Sequence, residues 1–416
     1  TTYKETNMLS LPRWRTLAAV LFTLPAAWCQ TATALPFTPG NVAVYRVGDG
    51  SRSLVATGNP VFLDEYQADG VLVQSLPMPV AASGSQMPFA GGGTAGSEGW
   101  LTRSENKRCL VVPGYGRDPA ITSGNLVSAA NLARVVGVVS HKGAIDTSTA
   151  LVDFSTGVNN FRGAASSDCS SFWVTSSADG TRSARLGQGA TSAVAAAPAS
   201  GRVVMVVDGQ LYNSSNTGTN ISKGINRIGT GLPTTATTAV RLPGLTDALT
   251  ASPYGFAFAD LDGAPGLDTL YVADDSLGVT KFSLVAGVWQ ANGKVGAAGE
   301  AYTGLTAVVA PGKVTLFATR GANQLVSMVD SSGFNGSFAP SVNVLANAGG
   351  NQAFRGVALA PELSVTATAS AGAHGTISPA SRSVFDGATT TFSVNADAGY
   401  TAVVGGTCGG TLAAGI

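Results

Sequence analysis

A loosely repeated unit constrains the fold of this chain more than any other feature of its sequence. Each unit starts with a strand of small residues that ends in a polar turn, and a more apolar strand follows. The small-residue strand recurs as EGWLTRSENK (98–107), FRGAASSDCS (161–170), TSAVAAAPASG (191–201), YGFAFADLDG (254–263), GLTAVVAPGK (304–313) and FRGVALAPE (354–362). The apolar strands after the first five copies are RCLVVPGY, SFWVTSS, RVVMVVDG, DTLYVADD and VTLFATRG. Strands and turns at this spacing are typical of propeller blades, whose small residues line a crowded central channel.

The two ends of the repeated region complement each other. FRGVALAPE has no strands after it, whereas NVAVYRVG (41–48), VFLDEY (61–66) and VLVQSLPM (71–78) have no inner strand before them. We therefore predict that 354–361 pairs with a strand in 41–80, because one composite blade would close the ring and remove an exposed sheet edge. The predicted fold is all-β, a ring-closed β-propeller of six blades, or of seven blades if residues 110–160 contain a further one. An array of β-sandwiches is the alternative.

Composition agrees with an all-β protein and excludes one class of partner. Hydrophobic residues make up 44% of the 416 residues, glycine occurs 53 times and charged residues reach only 12%. Many glycines and few helix-favouring charged residues indicate strands joined by tight turns. The formal net charge is zero and no basic stripe is present, so nucleic acid is not expected as a partner.

The first 34 residues are predicted to direct export. Arg13 and Arg15 precede the apolar run 17–28, and the small residues Ala32-Thr33-Ala34 follow it, which is the pattern of a cleaved signal peptide with a short helix. The apolar run is too short for an ordinary transmembrane helix. We expect translation to start at Met8 and the mature protein to begin near Leu35, secreted or on the cell surface.

Two further segments complete the predicted organisation. Residues 35–362 form the propeller, and residues 363–416 form a small β module that ends without a closing strand. We therefore expect the module to continue beyond Ile416.

Three cysteines follow the export segment, and an odd number in an oxidising compartment suggests that one of them lacks its partner. Cys109 and Cys169 each lie near the start of a predicted strand. They either bridge neighbouring units or remain two separate buried thiols. Cys408 is expected to pair beyond the end of this sequence. None of the spacings is that of a zinc site.

Catalytic constellations are scarce in the sequence. It contains two histidines, His141 and His374, and lacks a nucleophile elbow, a P-loop and a dinucleotide fingerprint. The adjacent carboxylate pairs Asp64-Glu65 and Asp274-Asp275 are poor candidates for one site, because successive side chains of a strand point to opposite faces. We predict no catalytic residue. The chain is expected to be a binding or scaffolding module for an unknown extracellular ligand, polymer or protein. The alternative is an extracellular hydrolase or lyase acting on a polymer or phosphoester.

The segment FADLDGAPGLDTLYVADD (258–275) holds the candidate metal site. Asp260, Asp262 and Asp268 surround two glycines that permit a tight bend. Calcium prefers six to eight oxygen ligands from short carboxylates and backbone carbonyls, so these three residues are a candidate Ca²⁺ site. A hairpin turn in which the carboxylates accept backbone amides is the alternative.

Resemblances to known families agree with these expectations. The segments FTPGNVAVYRVGDG, VFLDEYQADGVLVQS, PYGFAFADLDGAPGLDTLYVADD, KFSLVAGVW and FRGVALAPE resemble a group of secreted bacterial β-propeller proteins of uncharacterised function. That resemblance implies export and a propeller, and it brings no catalytic residue. GTISP, DGATTTFSVNADAGY and VGGTCGG resemble divergent internalin-type B repeats, which implies an extracellular stalk or adhesive module. YVADDSLGVTKFSL is similar to NHL-type propellers, and the aspartate spacing resembles FG-GAP-type calcium loops, except that Ala264 replaces a liganding residue.

Overall fold

The structure, a computed structural model, describes residues 34–129, 131–218, 223–297, 299–406 and 411–412. These residues form six four-stranded antiparallel sheets and two two-stranded sheets. The predicted export segment and Cys408 lie outside the described residues, apart from Ala34. Among the described residues, no helix has the length and apolarity needed to cross a membrane.

The six larger sheets are the blades of a propeller, and each blade is named here from its inner strand outward. Blade 1 consists of β24 (Ala353–Leu359), β1 (Val42–Val47), β2 (Val61–Tyr66) and β3 (Leu72–Pro77). Blade 2 consists of β4 (Thr102–Arg103), β5 (Cys109–Tyr115), β6 (Arg134–Ser140) and β7 (Ile145–Leu151). Blade 3 consists of β8 (Phe161–Ser166), β9 (Ser171–Ser176), β10 (Thr181–Arg185) and β11 (Ser192–Ala195).

The other three blades follow in the same order along the chain. Blade 4 consists of β12 (Val204–Val207), β13 (Gln210–Ser215), β14 (Gly224–Ile228) and β15 (Ala239–Arg241). Blade 5 consists of β16 (Pro253–Ala259), β17 (Thr269–Asp274), β18 (Gly278–Val285) and β19 (Val288–Val295). Blade 6 consists of β20 (Tyr302–Ala310), β21 (Lys313–Arg320), β22 (Gln324–Asp330) and β23 (Val342–Asn347).

The predicted closure of the ring is confirmed. Strand β24 pairs antiparallel with β1, from Val42 opposite Leu359 to Val47 opposite Ala353. The two ends of the repeated region therefore share one sheet. The stretch 110–160 contributes only the outer three strands of blade 2, so the ring has six blades and not seven. A set of β-sandwiches is ruled out, since each blade contacts the next in a closed series. The contacts run between inner strands, except that β16 of blade 5 contacts β13 of blade 4.

One strand assignment made from the repeats is wrong. TSAVAAAPASG was expected to supply an inner strand, but it contains β11, the outermost strand of blade 3. The inner strand of blade 4 is β12, within the segment RVVMVVDG that was expected to be the second strand. Both segments consist of small apolar residues, so composition alone does not separate an inner strand from an outer strand that is covered by a neighbouring blade.

The inner strands approach each other closely at glycines. A Cβ atom on Gly163 would lie 2.5 Å from the Arg202 carbonyl oxygen, and one on Gly356 would lie 2.7 Å from the Gly99 carbonyl oxygen. Both distances are shorter than any real Cβ contact, and both involve the backbone of the next blade. The glycine of the repeated F-R-G sequence is therefore required by the packing of consecutive blades around the channel.

The apolar core lies between neighbouring sheets. Leu63 of blade 1, for example, belongs to the same buried cluster as Val112 and Val135 of blade 2. Blades 2 and 3 are also joined covalently, because Cys109 and Cys169 form a disulfide bond. The residues are 60 positions apart, and a bond that closes a loop of this length stabilises a fold by roughly 4 kcal/mol. Of the two alternatives for these cysteines, the bridge between units is the one observed.

The segment after the ring forms two small sheets. The strands are β25 (Ser364–Thr368) with β27 (Ser381–Phe385), and β26 (Gly375–Ser378) with β28 (Ser393–Ala396). The Asp386 carboxylate lies 2.8 Å from Lys142 Nζ and 3.2 Å from His141 Nε2, in the turn between β6 and β7. These two ion-pair contacts join the segment to blade 2.

Candidate functional site

The central channel contains a cavity of about 280 Å³. Its walls come from the inner strands of five blades: β4, β12, β16, β20 and β24. Most of the wall residues are small or apolar, and they include Gly255, Ala257, Gly304, Ala307, Gly356 and Ala358. The small residues of the repeats thus line the central channel, as the sequence predicted.

An aromatic pair closes one end of this cavity. Trp100 lies in the segment that leads into the inner strand of blade 2, and Tyr254 lies in the inner strand of blade 5, the blade opposite. Their rings meet edge to face with centroids 5.1 Å apart. Trp100 is buried and belongs to the cavity lining. Its indole N–H donates to the Ser97 carbonyl oxygen at 3.1 Å, so both its ring and its polar atom are fixed.

Charged residues surround the other end of the cavity, which we call the rim. The rim consists of Arg103 at the end of β4, Glu105 and Lys107 in the turn after β4, and Asp208 in the turn after β12. Lys107 and Asp208 are exposed. Glu362 lies 3.4 Å from Lys107 Nζ and 3.7 Å from Arg103 Nη1. The cavity therefore leads from a charged, solvent-exposed rim to a buried aromatic floor.

The lining of the cavity is poor in catalytic groups. It contains neither His141 nor His374, and its only carboxylates are Glu105 and Asp208 at the rim. Glu105 Oε1 accepts a hydrogen bond from the backbone amide of Gly209. The enzyme alternative requires ionisable side chains that converge in a cleft, and these two rim carboxylates are the groups that it would have to use.

The three predicted calcium ligands lie in the hairpin between β16 and β17. One ligand atom from each of Asp260, Asp262 and Asp268 lies within 4.8 Å of the others, so the structure brings the three carboxylates together. Asp260 and Asp262 are exposed, whereas Asp268 is buried. A cation at this position would be reached from solvent through the two exposed side chains.

Hydrogen bonds already engage part of this cluster. Asp268 Oδ2 accepts the backbone amides of Leu261 at 3.0 Å and Asp262 at 2.6 Å, and Asp268 Oδ1 accepts the Thr269 hydroxyl at 2.7 Å. Asp262 Oδ1 accepts the Ala264 amide at 2.7 Å. These are the contacts of the hairpin-turn alternative, and they coexist with the close approach of the three carboxylates.

The two adjacent carboxylate pairs have structural contacts. Asp64 is buried and its Oδ2 lies 2.5 Å from Arg46 Nε. Glu65 Oε1 accepts the Asn41 side-chain amide at 2.7 Å. Asp274 is buried and accepts the Ser252 amide at 2.7 Å. Three of these four carboxylates are therefore engaged by neighbouring groups of the fold.

A group of polar residues that the sequence did not single out lies at the floor end of the channel. It contains the buried residues Arg202, Arg355 and Glu98 and the half-buried Arg162, and the three arginines lie near the start of inner strands. Glu98 Oε1 accepts hydrogen bonds from Tyr115 Oη at 2.6 Å and Asn160 Nδ2 at 2.5 Å. Burial raises the pKa of the Glu98 carboxyl, and the hydrogen bonds and the arginines only partly oppose this. The repeated F-R-G sequence was the available signal for two of the arginines.

Comparisons with known proteins identify distant structural likenesses. No protein-family model and no curated protein matches the chain. The crystal structure of a nidogen/laminin complex contains a chain with 11% identity, covering 77% of this chain and 98% of that chain at a TM-score of 0.44. A Pseudomonas aeruginosa periplasmic gluconolactonase has 14% identity, covering 74% of this chain and 82% of that chain at a TM-score of 0.39. Likenesses this distant do not bear on function, and the assignment of the fold rests on the strand pairing described above.

Proposed function

We propose that this chain is an exported binding module whose channel accepts a slender apolar group of an extracellular ligand. The observation that carries the proposal is the cavity itself, which has apolar walls, an aromatic floor at Trp100 and a charged rim. Ligand sites are typically concave and mostly apolar, with a few polar groups that fix orientation. At about 280 Å³ the cavity is at the lower end of the usual size range, which suits a chain-like group better than a folded surface.

Export is part of the same proposal. Its support is the charged and apolar pattern of the first 34 residues, together with the disulfide between Cys109 and Cys169. Disulfides persist in oxidising compartments and are rare in the cytosol. We propose that the exported chain begins near Leu35, with residues 35–362 as the binding domain and residues 363–416 as an attached surface-type module.

The channel proposal predicts binding of alkyl chains. In a fluorescence assay with 1-anilinonaphthalene-8-sulfonate, we expect straight-chain alcohols from butanol to octanol to displace the probe. Each added methylene should tighten displacement by roughly fourfold, because burying one methylene contributes about 0.8 kcal/mol. Thr306→Trp, which fills the channel from β20, should abolish displacement by octanol.

The matched control is Thr315→Trp on the neighbouring strand β21. Thr315 is half-buried like Thr306, but it does not line the cavity. We expect this variant to behave like the unaltered protein. Equal losses in both variants, or displacement that does not depend on the length of the alcohol, would rule out the channel as the binding site.

We also propose that the hairpin of blade 5 binds Ca²⁺ weakly through Asp260, Asp262 and Asp268. The support is the close approach of their oxygens, and the reason for weak binding is Ala264 together with the hydrogen bonds that occupy Asp268. With a dissociation constant of about 1 mM, 10 mM Ca²⁺ should stabilise the fold by roughly 1.4 kcal/mol. The measurement is the melting temperature with and without Ca²⁺, and Asp260→Ala with Asp262→Ala should remove the increase.

A control for this experiment is Asp69→Ala with Asp118→Ala. Both residues are exposed, and each accepts the amide two positions on, as Asp262 does. This variant should keep the full response to Ca²⁺. An unchanged melting temperature in the unaltered protein at 10 mM Ca²⁺ would leave only the turn interpretation.

A further inference from the structure

Two arginines on neighbouring blades have the same position in their blades and make the same kind of contact. Arg162 precedes Gly163 in β8, and Arg202 follows Gly201 just before β12. Arg162 Nη1 donates to Ser200 Oγ at 2.8 Å, in the loop before the inner strand of blade 4. Arg202 Nη1 donates to Ser252 Oγ at 2.8 Å, in the loop before the inner strand of blade 5. Both side chains therefore lie at the floor end of the channel and are held by the next blade.

These contacts use only one nitrogen of each guanidinium group. The Nε atoms of Arg162 and Arg202 are buried and have no hydrogen-bond partner. Among the described residues, the Nη2 atoms of both arginines also have no hydrogen-bond partner, and neither Nη2 atom is fully buried. Each arginine thus presents an accessible N–H group that the protein leaves unused. In a folded interior such donors are normally paired, and a guanidinium group pairs best with a planar oxyanion.

No carboxylate neutralises the two arginines at short range. Among the described residues, no ion pair within 4.0 Å involves Arg162 or Arg202. Burial lowers the pKa of Arg162, and the positive charge of Arg202 lowers it further, so the two groups are close enough to repel each other. Both remain cationic at neutral pH. Glu98 acts on the charge of Arg162, and Asp274 and Asp275 act on that of Arg202, without direct contact. Two neighbouring cations that have no carboxylate in direct contact favour the binding of an anion.

The second arginine is held in position by an aromatic ring. The Arg202 guanidinium carbon lies 3.7 Å from the centroid of the Tyr254 ring, a stacked arrangement that fixes the plane of the guanidinium group. Tyr254 in turn contacts Trp100. The pair of arginines is therefore built on the same aromatic floor that closes the apolar cavity, at the opposite end of the channel from the rim.

We propose that Arg162 and Arg202 bind a small oxyanion, the carboxylate or phosphate group of a ligand, on the floor side of the channel. This site is separate from the apolar cavity, and neither proposal depends on the other. Arg134 and Arg355 also have a buried Nε without a partner, but their Nη2 atoms donate to the backbone carbonyl oxygens of Ser155 and Gly93. The Nη2 atoms of Arg162 and Arg202 make no such bond among the described residues, and these two arginines lie on adjacent blades. The geometry suits an oxyanion that bridges blades 3 and 4.

The test is calorimetric titration of the unaltered protein with inorganic phosphate and with acetate at constant ionic strength. We expect saturable binding of at least one of the two, and the one that binds identifies the ligand group. Arg162→Gln should weaken that binding about tenfold, since it removes one charged hydrogen-bond donor. Arg185→Gln removes a charge from an exposed position in the same blade and should bind like the unaltered protein. Equal weakening in the two variants, or binding of neither anion, would overturn the proposal.

A second measurement needs no variant and therefore does not depend on how Arg162→Gln folds. Phenylglyoxal modifies accessible guanidinium groups, and peptide mass spectrometry locates the modified residues. The anion that binds should slow modification of Arg162 and Arg202 while leaving Arg185 unaffected. If the anion protects all three equally or protects none, Arg162 and Arg202 do not form its site.

Discussion

Removing residues 354–362 is expected to abolish cooperative unfolding of the whole propeller. The deletion takes away β24, the strand that joins the end of the ring to β1. Without it, blade 1 loses its inner strand, β20 loses its neighbour in the adjacent blade, and a sheet edge is exposed. Because each blade is packed against two others, loss of closure should spread to all six. Thermal unfolding followed by circular dichroism should show a broad, low transition in place of a single sharp one.

A point substitution tests the closure of the ring without removing β24. Gly356→Val places a side chain against the Gly99 carbonyl oxygen and the Leu101 amide nitrogen, each 2.7 Å from the new Cβ. Backbone atoms on both sides leave little room for relaxation, so we expect a loss of about 3 kcal/mol or more. Gly350→Val is the control, because that glycine has no heavy atom within 4 Å of the position of a Cβ. If Gly356→Val unfolds at the same temperature as the control, close approach of blades 1 and 2 is not needed for closure.

The closure itself was predictable because it depends on a count of strands. The inner strand at 354–362 has no later strands to complete its blade, and the outer strands at 41–78 have no inner strand before them. Pairing these two segments with each other completes one blade. The strand signals were also strong, since short apolar runs that follow polar turns mark β5, β9, β17 and β21 in the sequence. Local sequence therefore determined most second strands, and the topology followed from them.

The assignment of TSAVAAAPASG failed for a physical reason. Small residues suit any strand that is covered closely on both faces, and β11 is covered because Val194 and Ala195 pack in a buried cluster with Val204 and Val206 of blade 4. The strand β12 is only four residues long, which makes its role hard to recognise from periodicity. Burial by a neighbouring blade is a tertiary property that the local pattern does not encode.

The two candidate sites also differ in how far the sequence alone could predict them. Asp260, Asp262 and Asp268 are close in sequence, and one hairpin suffices to bring them together, so their proximity was predictable. Arg162 and Arg202 become neighbours only because consecutive blades place their inner strands side by side. Trp100 and Tyr254 meet because the ring has six blades, which puts blades 2 and 5 opposite each other. These contacts cannot be predicted from the spacing of the residues in the sequence unless the topology is known.

Replacing Lys281 by methionine is expected to cost about 3–5 kcal/mol of folding free energy, as loss of one partner of a buried ion pair does. The Lys281 side chain is fully buried, and its Nζ lies 2.8 Å from Asp330 Oδ2. It also donates to Ser332 Oγ at 2.7 Å and to the Gly333 carbonyl oxygen at 2.6 Å. Methionine matches the length of the side chain but leaves the Asp330 carboxylate buried with no counter-ion. Urea unfolding at neutral pH measures the loss, and Lys294→Met at an exposed position should change stability by less than about 0.5 kcal/mol.

The pH dependence identifies the cause of this loss. Burial by itself would raise the pKa of Asp330, but hydrogen bonds from Lys281, Ser332 and Tyr271 outweigh it and lower the pKa. In the unaltered protein the ionised Asp330 therefore contributes to stability at pH values above its pKa in the unfolded state. This contribution is lost as the pH falls through its lower pKa in the folded state. In Lys281→Met the carboxyl is buried and unpaired, its pKa rises, and protonation on acidification relieves the penalty.

The stability difference between the two proteins should accordingly narrow as the pH falls toward about 4. Adding Asp330→Asn to Lys281→Met should recover part of the loss at neutral pH, because a neutral amide at that position still accepts the Tyr271 hydroxyl, whose oxygen lies 2.6 Å from Asp330 Oδ2. If the difference were the same at every pH and the second substitution recovered nothing, the cost would come from altered packing and not from an unpaired buried charge.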